Sequence, residues 1–155
     1  MDGELFLTGR AKDILILRGR NYAPSEIEHA VNGVGGVRTG CTVAASYLPE
    51  GGESEVLLLL VEVRPRAVAG QELVREITRA VLAATGLRAD LVELLEPGTL
   101  PRTSSGKLRR REALARWRQG TLHPPATMNP LRLAGAMARS SLAMARVKID
   151  GRTGL

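Results

Sequence analysis

The stretch LPRTSSGKLRRRE, residues 100–112, places one lysine, Lys107, after small hydroxyl residues and a glycine. Lysine is scarce, with 3 among 22 basic residues, and arginine follows at positions 109–111. A short loop that presents one ammonium near the start of a helix suits an approaching anion, because the helix dipole also favours negative charge there. Ser104 or Ser105 is placed to cap that helix. A solvated surface lysine is the competing interpretation, and the local pattern alone favours it.

A second basic stretch, TGRAKD followed by RGRN, contains glycines that suit turns, and its simplest interpretation is the charged rim of a hairpin. Two glycine-containing stretches, TSSGKL and GVGGVRTG, are not complete nucleotide loops. TSSGKL fails as a P-loop because Pro101 stands where the first glycine is needed and Leu108 where Ser or Thr would bind magnesium. GVGGVRTG fails as a dinucleotide fingerprint because Arg38 replaces its third glycine.

The elements that position these stretches follow from apolar spacing and from turn residues. The strands are Glu4–Thr8 and Ile14–Leu17, joined by GRAKD, then segments near Thr42–Tyr47, Val56–Val63 and ADLVELLE. The helices run from Pro24 to a stop at Gly35 and Gly36, over Gly70–Thr85, over Leu108–Gln119, and over Leu131–Val147. The second helix turns Leu73, Ile77, Ala80, Val81 and Ala84 inward. The predicted fold class is α+β, a small two-stranded hairpin plus a three-stranded sheet flanked by helices, with an extra C-terminal helix.

Composition limits the classes of protein. Of 155 residues, 44% are hydrophobic and 3% aromatic, so the core must be aliphatic. The single Cys41 cannot form an internal disulfide, which favours a reducing cytoplasm. No apolar run is long enough for a transmembrane segment, and the acidic N-terminus is unlike a signal peptide. His29 and His123 stand alone and no cluster has metal-ligand spacing, so no metal site is predicted.

The two motifs together are more informative than either alone. TGRAKDILILRGRNYAPSEIE, followed about 80 residues later by LPRTSSGKLRR, resembles the C-terminal domain of the acyl-adenylate-forming enzymes. That superfamily contains acyl-CoA synthetases, fatty acyl-AMP ligases, adenylation domains of peptide synthetases and firefly luciferase. The order of the motifs and the intervening pattern of strands and helices also match. The resemblance covers about residues 3–120.

The resemblance implies a role for four residues. Lys107 matches the lysine that enters the active site for adenylation, near the substrate carboxylate and the α-phosphate of ATP. Arg10 matches the arginine that approaches the nucleotide ribose, and Lys12 stands at the hinge about which this domain swings. Gly19 would line the approach of a pantetheine arm in the second pose, where a side chain would obstruct it. The string RGRNYAP looks more like fatty acyl-AMP ligases, which load acyl carrier proteins, than like CoA synthetases.

The chain begins just after the position of the TGD motif of the family, so the partner expected from the resemblance is the missing N-terminal adenylation domain. The chain would then be an expressed fragment, the product of a mis-started gene or one half of a split enzyme. ATP with Mg would bind mainly to that domain, and the acceptor would be the pantetheine thiol of an acyl carrier protein or CoA. The expected domains are 1–120, a mobile lid that is inactive when isolated, and 121–155, a linker with a basic amphipathic helix of unknown role. That helix could pack back on the protein, contact an acidic carrier protein or lie on a membrane surface.

A stand-alone binding module is the alternative from another class. Residues 100–155 carry 12 basic and 2 acidic side chains, which would suit an acidic partner. Nucleic acid is not expected, because Phe6, Tyr22, Tyr47 and Trp117 are too scattered to form a stacking platform.

Overall fold

A computed structural model of the protein describes residues 13–65, 67 and 70–124. Five strands and three helices occur in these ranges. They are β1 (Leu15–Leu17), β2 (Arg20–Tyr22), α1 (Pro24–Asn32), β3 (Val37–Tyr47), β4 (Val56–Val63), α2 (Gln71–Thr85), β5 (Leu91–Leu95) and α3 (Arg110–Arg118). The α+β prediction is confirmed. The predicted strand Glu4–Thr8 and the helix Leu131–Val147 lie outside the described residues.

The five strands form two sheets. Strands β1 and β2 make an antiparallel hairpin, and the larger sheet has the order β3-β4-β5. Strands β3 and β4 are antiparallel, whereas β5 runs parallel to β4 after the crossover through α2. The pairing register of β3 shifts between Val37 and Thr42, which marks a bulge. The sequence prediction paired residues 14–17 with residues 4–8, but the partner of β1 in the described structure is β2.

The larger sheet is buried on both faces, which explains the nearly continuous apolar run of β4. Helices α1 and α2 and the β1–β2 hairpin cover one face, around a cluster that includes Leu17, Ile27, Leu59 and Ile77. Helix α3 and the segment before it cover the other face, around a second cluster. That cluster is Val43, Ala45, Leu58, Leu60, Leu95, Leu100 and Ala113. The two faces therefore carry separate aliphatic cores on one shared sheet.

The helix boundaries follow from their end residues. Pro24 occupies the first turn of α1, and Gly33 ends it, two residues earlier than Gly35. Gly86, at φ 73°, ends α2 in the left-handed conformation that glycine adopts readily. The predicted inward face of α2 was wrong at one position, because Ala84 is exposed while Val74 is buried at 2%.

No helix in the described part of the chain combines the length and the apolar character needed to cross a membrane.

Candidate functional site

Lys107 lies at the end of a compact hairpin loop. The backbone amide of Thr103 donates to the carbonyl of Lys107 at 2.8 Å, and Gly106 N–H donates to the Thr103 carbonyl at 2.9 Å. Gly106 has a φ of 86°, so the loop is a turn followed by a left-handed residue, a common three-residue hairpin connection. Arg102 pairs with Leu108 as an antiparallel bridge below the turn. The loop thus has a defined conformation that a run of small residues alone does not reveal.

The hydroxyl that holds this loop belongs to Thr103. Its Oγ1 accepts a hydrogen bond from the backbone N–H of Lys107 at 3.0 Å and lies 2.9 Å from Ser105 Oγ. The prediction that Ser104 or Ser105 caps the following helix was wrong. Helix α3 begins at Arg110 after the N-cap residue Arg109, and no side chain caps it. The helix starts later than predicted because Leu108 is still extended and paired with Arg102.

The Lys107 side chain projects away from the protein. Leu108 packs on the second core, and adjacent residues of an extended segment point to opposite sides, so Lys107 faces outward and is exposed. Its ammonium forms no hydrogen bond or ion pair with any side chain or backbone group of the described residues. An exposed ammonium on a hydrogen-bonded loop can therefore approach an anion without first breaking a contact within the described residues.

Gly19 lies in the turn between β1 and β2. Arg18 and Gly19 both have positive φ, 51° and 75°, and Leu17 pairs with Arg20 on either side of them. This two-residue turn matches the twist of the strands, and glycine adopts its second position without strain. A Cβ placed on Gly19 would meet no atom within 4 Å. The backbone conformation of the turn is sufficient to explain why glycine occupies this position. A role in the approach of a thiol would also require a second protein surface that faces the turn.

The Gly19 turn and the Lys107 loop are anchored on opposite faces of the larger sheet. Leu15 and Leu17 of the hairpin belong to the core shared with α1 and α2. Leu100 and Leu108, which flank the Lys107 loop, belong to the core under α3. A domain that addresses one active site with each loop in turn requires this kind of separation.

Arg10 and Lys12 lie outside the described residues, so their predicted roles stay predictions. Asp13, the residue after the proposed hinge position, lies at an open depression whose other lining residues are Leu108–Glu112. The first residue described after the hinge position is therefore next to the segment that joins the Lys107 loop to α3.

The sequence analysis missed Glu62, the only charged residue in the apolar strand β4. Its side chain is fully buried. One carboxylate oxygen accepts a hydrogen bond from the Leu100 amide at 2.9 Å, and the other accepts one from Arg38 at 2.9 Å. The signal available in advance was a single Glu in VLLLLVEV, since a buried charge needs partners. Glu62 ties the segment before the Lys107 loop to the centre of the sheet.

Cys41 is a buried thiol beside this network. Its side chain is 4% exposed, and Arg102 donates a hydrogen bond to its sulfur at 2.9 Å. Burial, followed by the nearby Glu62 carboxylate, raises the pKa of the Cys41 thiol. The thiol is thus kept neutral, which is the less nucleophilic form.

A family model described as Disco-interacting protein 2-like, AMP domain, matches residues 12–126 of this chain. The chain belongs to this family of acyl-adenylate-forming proteins. The match includes both the Gly19 turn and the Lys107 loop, and it ends near the point where the described structure ends.

Relatives and solved structures agree with this assignment. The long-chain-fatty-acid–AMP ligase FadD26 of Mycobacterium tuberculosis is 39% identical over 125 residues, covering 76% of this chain and 20% of FadD26. The putative fatty-acid–CoA ligase fadD21 of Mycobacterium leprae is 42% identical over 126 residues, covering 76% and 21%. A structure from work on fatty acyl-adenylate ligases of E. coli and L. pneumophila has a TM-score of 0.58 and 31% identity, covering 77% of this chain and 21% of that chain. The chain spans about a fifth of the length of these relatives.

Proposed function

We propose that this chain supplies the C-terminal, mobile domain of an ATP-dependent, AMP-forming fatty acyl ligase. In this proposal residues 1–120 form the mobile domain, and residues 121–155 are a linker with a basic amphipathic helix. The observation that supports it best is the exposed Lys107 ammonium on an ordered hairpin, on the sheet face opposite the Gly19 turn. The family match and the fatty acyl-AMP ligase relatives support the choice of chemistry.

The first half-reaction joins a fatty acid carboxylate to the α-phosphorus of ATP and expels pyrophosphate. Negative charge builds on the phosphoryl oxygens while a second anion approaches. The Lys107 ammonium would offset that charge by on the order of 4 kcal/mol at a separation of 4 Å in a partly screened site. A single point charge on a long stem suits this task better than a broad guanidinium.

The second half-reaction transfers the acyl group to a thiol and releases AMP. The thiol sulfur bonds to the acyl carbon, the bond between that carbon and the AMP oxygen breaks, and the thiol proton is lost. In this proposal the domain has turned about Lys12, so that the Gly19 turn borders the path of the pantetheine arm. Arg10 would approach the nucleotide ribose, and ATP with Mg²⁺ would be held mainly by an N-terminal adenylation domain, in the cytoplasm.

The proposed acceptor is the pantetheine thiol of an acyl carrier protein. CoA is the second candidate, and the similarity to a putative fatty-acid–CoA ligase favours it. Loading assays that offer CoA or a carrier protein to the same pre-formed acyl-adenylate distinguish the two.

The test separates the half-reactions in a ligase that contains this chain. We expect Lys107→Ala to slow ATP-dependent pyrophosphate release by about 10²–10³-fold, because one preorganised charge is lost. Transfer from added acyl-adenylate to a thiol should change little. Arg88→Ala removes another exposed cation, outside both loops, and should leave both steps intact. Equal loss of both half-reactions in Lys107→Ala would contradict the proposal.

The isolated 155-residue chain should fold but should not exchange pyrophosphate with ATP and a fatty acid, because in this proposal the nucleotide and acyl pockets belong to the N-terminal adenylation domain. Measurable exchange in a preparation free of other ligases would refute this part of the proposal.

A further inference from the structure

We infer that Arg102 is a positioning residue that holds the Lys107 hairpin in place during adenylation. The inference rests on the proposed role of Lys107 and adds a residue that the motif analysis did not single out. Arg102 would not touch the substrate. It acts on Lys107 through the backbone of the loop.

The guanidinium of Arg102 connects the loop to the larger sheet. One terminal nitrogen donates to the carbonyl of Gly106 at 2.7 Å, across the loop from Arg102 itself. The other donates to the carbonyl of Gly40 at 3.2 Å and to the sulfur of Cys41 at 2.9 Å. The same side chain therefore closes the hairpin and fastens it to β3.

The bulge in β3 makes the Gly40 carbonyl available as a hydrogen-bond acceptor for Arg102. Gly40 lies in the irregular stretch of β3 between Val37 and Thr42, and its φ of 72° departs from the strand conformation. The Gly40 amide is held in turn by the side chain of Asn32 at 3.0 Å. A backbone carbonyl taken out of the ladder by a bulge is free to accept a hydrogen bond from outside the sheet.

The base of the loop has a separate attachment. The Glu62 carboxylate accepts a hydrogen bond from the Leu100 amide. The backbone N–H of Arg109 donates a hydrogen bond to the Pro101 carbonyl at 2.9 Å. Leu100 and Leu108 are packed in the core under α3. Loss of the Arg102 side chain should therefore leave the base and the fold intact while the tip, residues 103–107, loses its connection to β3.

Only a guanidinium has the shape for this role. Its donors point in two directions from one plane, so it can bond the Gly106 carbonyl and the Gly40–Cys41 edge together. A lysine ammonium is a single point on a flexible stem, so Arg102→Lys should retain only part of the effect. Because a small displacement of a catalytic group can slow a reaction about 10²-fold, an untethered Lys107 should react more slowly.

The experiment measures hydrogen exchange at the backbone amides of the loop in the full 155-residue chain. In Arg102→Ala we expect the amides of Gly106 and Lys107 to exchange hydrogen at least about tenfold faster, while the Leu58 amide in β4 and the midpoint of urea unfolding stay unchanged. Arg102→Lys should give intermediate exchange rates. Arg79→Ala removes an exposed arginine from α2 and serves as the matched control. Unchanged exchange at both loop amides would overturn the inference, whatever the catalytic result.

A second measurement uses a ligase that contains the chain. Arg102→Ala should slow pyrophosphate release by about 10–100-fold and leave transfer from added acyl-adenylate unchanged. If Lys107→Ala impairs adenylation and Arg102→Ala does not, the positioning role is wrong and the proposed function stands. If Lys107→Ala has no effect on adenylation, the proposed function itself fails.

Discussion

Arg110 at the start of α3 and Glu28 in α1 form a two-pronged ion pair across the edge of the larger sheet. The hydrogen bonds from Arg110 Nε and Nη2 to the two carboxylate oxygens of Glu28 are 2.8 and 2.7 Å long. Glu28 also accepts the backbone amide of Ala44 in β3 at 3.1 Å. The hydrogen bond to Glu28 raises the pKa of the Arg110 guanidinium. It joins the helix that follows the Gly19 hairpin to the helix that follows the Lys107 loop, and thereby connects elements on both sides of the sheet.

This pair should contribute measurably to stability. We expect Arg110→Ala to lower the free energy of unfolding by about 1.5–3 kcal/mol, a typical value for hydrogen bonds to charged groups. Arg109→Ala is the matched control, because the Arg109 and Glu112 side chains are 53% and 31% exposed and a solvent-exposed ion pair contributes little to stability. Urea denaturation of the chain measures both. Similar decreases in the free energy of unfolding for Arg110→Ala and Arg109→Ala would show that the link between α1 and α3 stabilises the fold no more than an exposed ion pair does.

Gly19 can be tested against a glycine of the same geometry. Gly19→Leu and Gly51→Leu place the same side chain at φ 75° and φ 73°, and neither Cβ would meet an atom within 4 Å. Both variants should therefore pay the same backbone strain, about 1–2 kcal/mol.

If the Gly19 turn borders the path of the thiol, only Gly19→Leu should slow transfer from pre-formed acyl-adenylate, by about 10–100-fold. Both variants should form acyl-adenylate at nearly the normal rate. Equal transfer rates in the two variants would show that Gly19 serves only the turn and has no role in the approach of the thiol. The assay is carrier-protein or CoA loading in a ligase that contains the chain.

Cys41 should react slowly in the folded protein. The thiol is buried and its pKa is raised, so at pH 8 a disulfide reagent should modify native protein at least about tenfold more slowly than urea-unfolded protein. Since the folded pKa lies above the unfolded one, this group's contribution to stability is retained below the unfolded pKa. It is lost as the pH rises from the unfolded pKa through the folded one.

Cys41→Ala should accordingly make the free energy of unfolding less sensitive to pH in the alkaline range. Rapid stoichiometric labelling of the native protein would contradict this account of the thiol.

Local sequence was sufficient for elements whose limits depend on single residues. Pro24 begins α1, Gly86 ends α2, and the apolar run of residues 56–63 forms β4 over the whole predicted range. These features were predictable because proline restricts φ, glycine accepts positive φ, and a strand buried on both faces needs no polar alternation. The predicted role of Lys107 came from the resemblance of two motifs to a family, since the local pattern alone favoured a solvated surface lysine.

Turn geometry decided features of the loops that the residue types alone left open. Thr103, Ser104 and Ser105 all carry hydroxyls, and only the turn geometry determines that Thr103 faces the Lys107 amide. The start of α3 depends on the pairing of Arg102 with Leu108, and the partner of β1 depends on the turn at Arg18 and Gly19.

The attachment of the Lys107 loop was equally inaccessible to local patterns. Glu62 is 38 residues from Leu100, and Arg102 is 62 residues from Gly40. A hydrogen bond across such a separation leaves no periodic signal in the sequence, because its partners meet only after β3, β4 and the second core have been assembled. The sequence thus suggested a chemical role for Lys107 through its resemblance to a family, whereas the packed sheet determined how the loop that carries Lys107 is held.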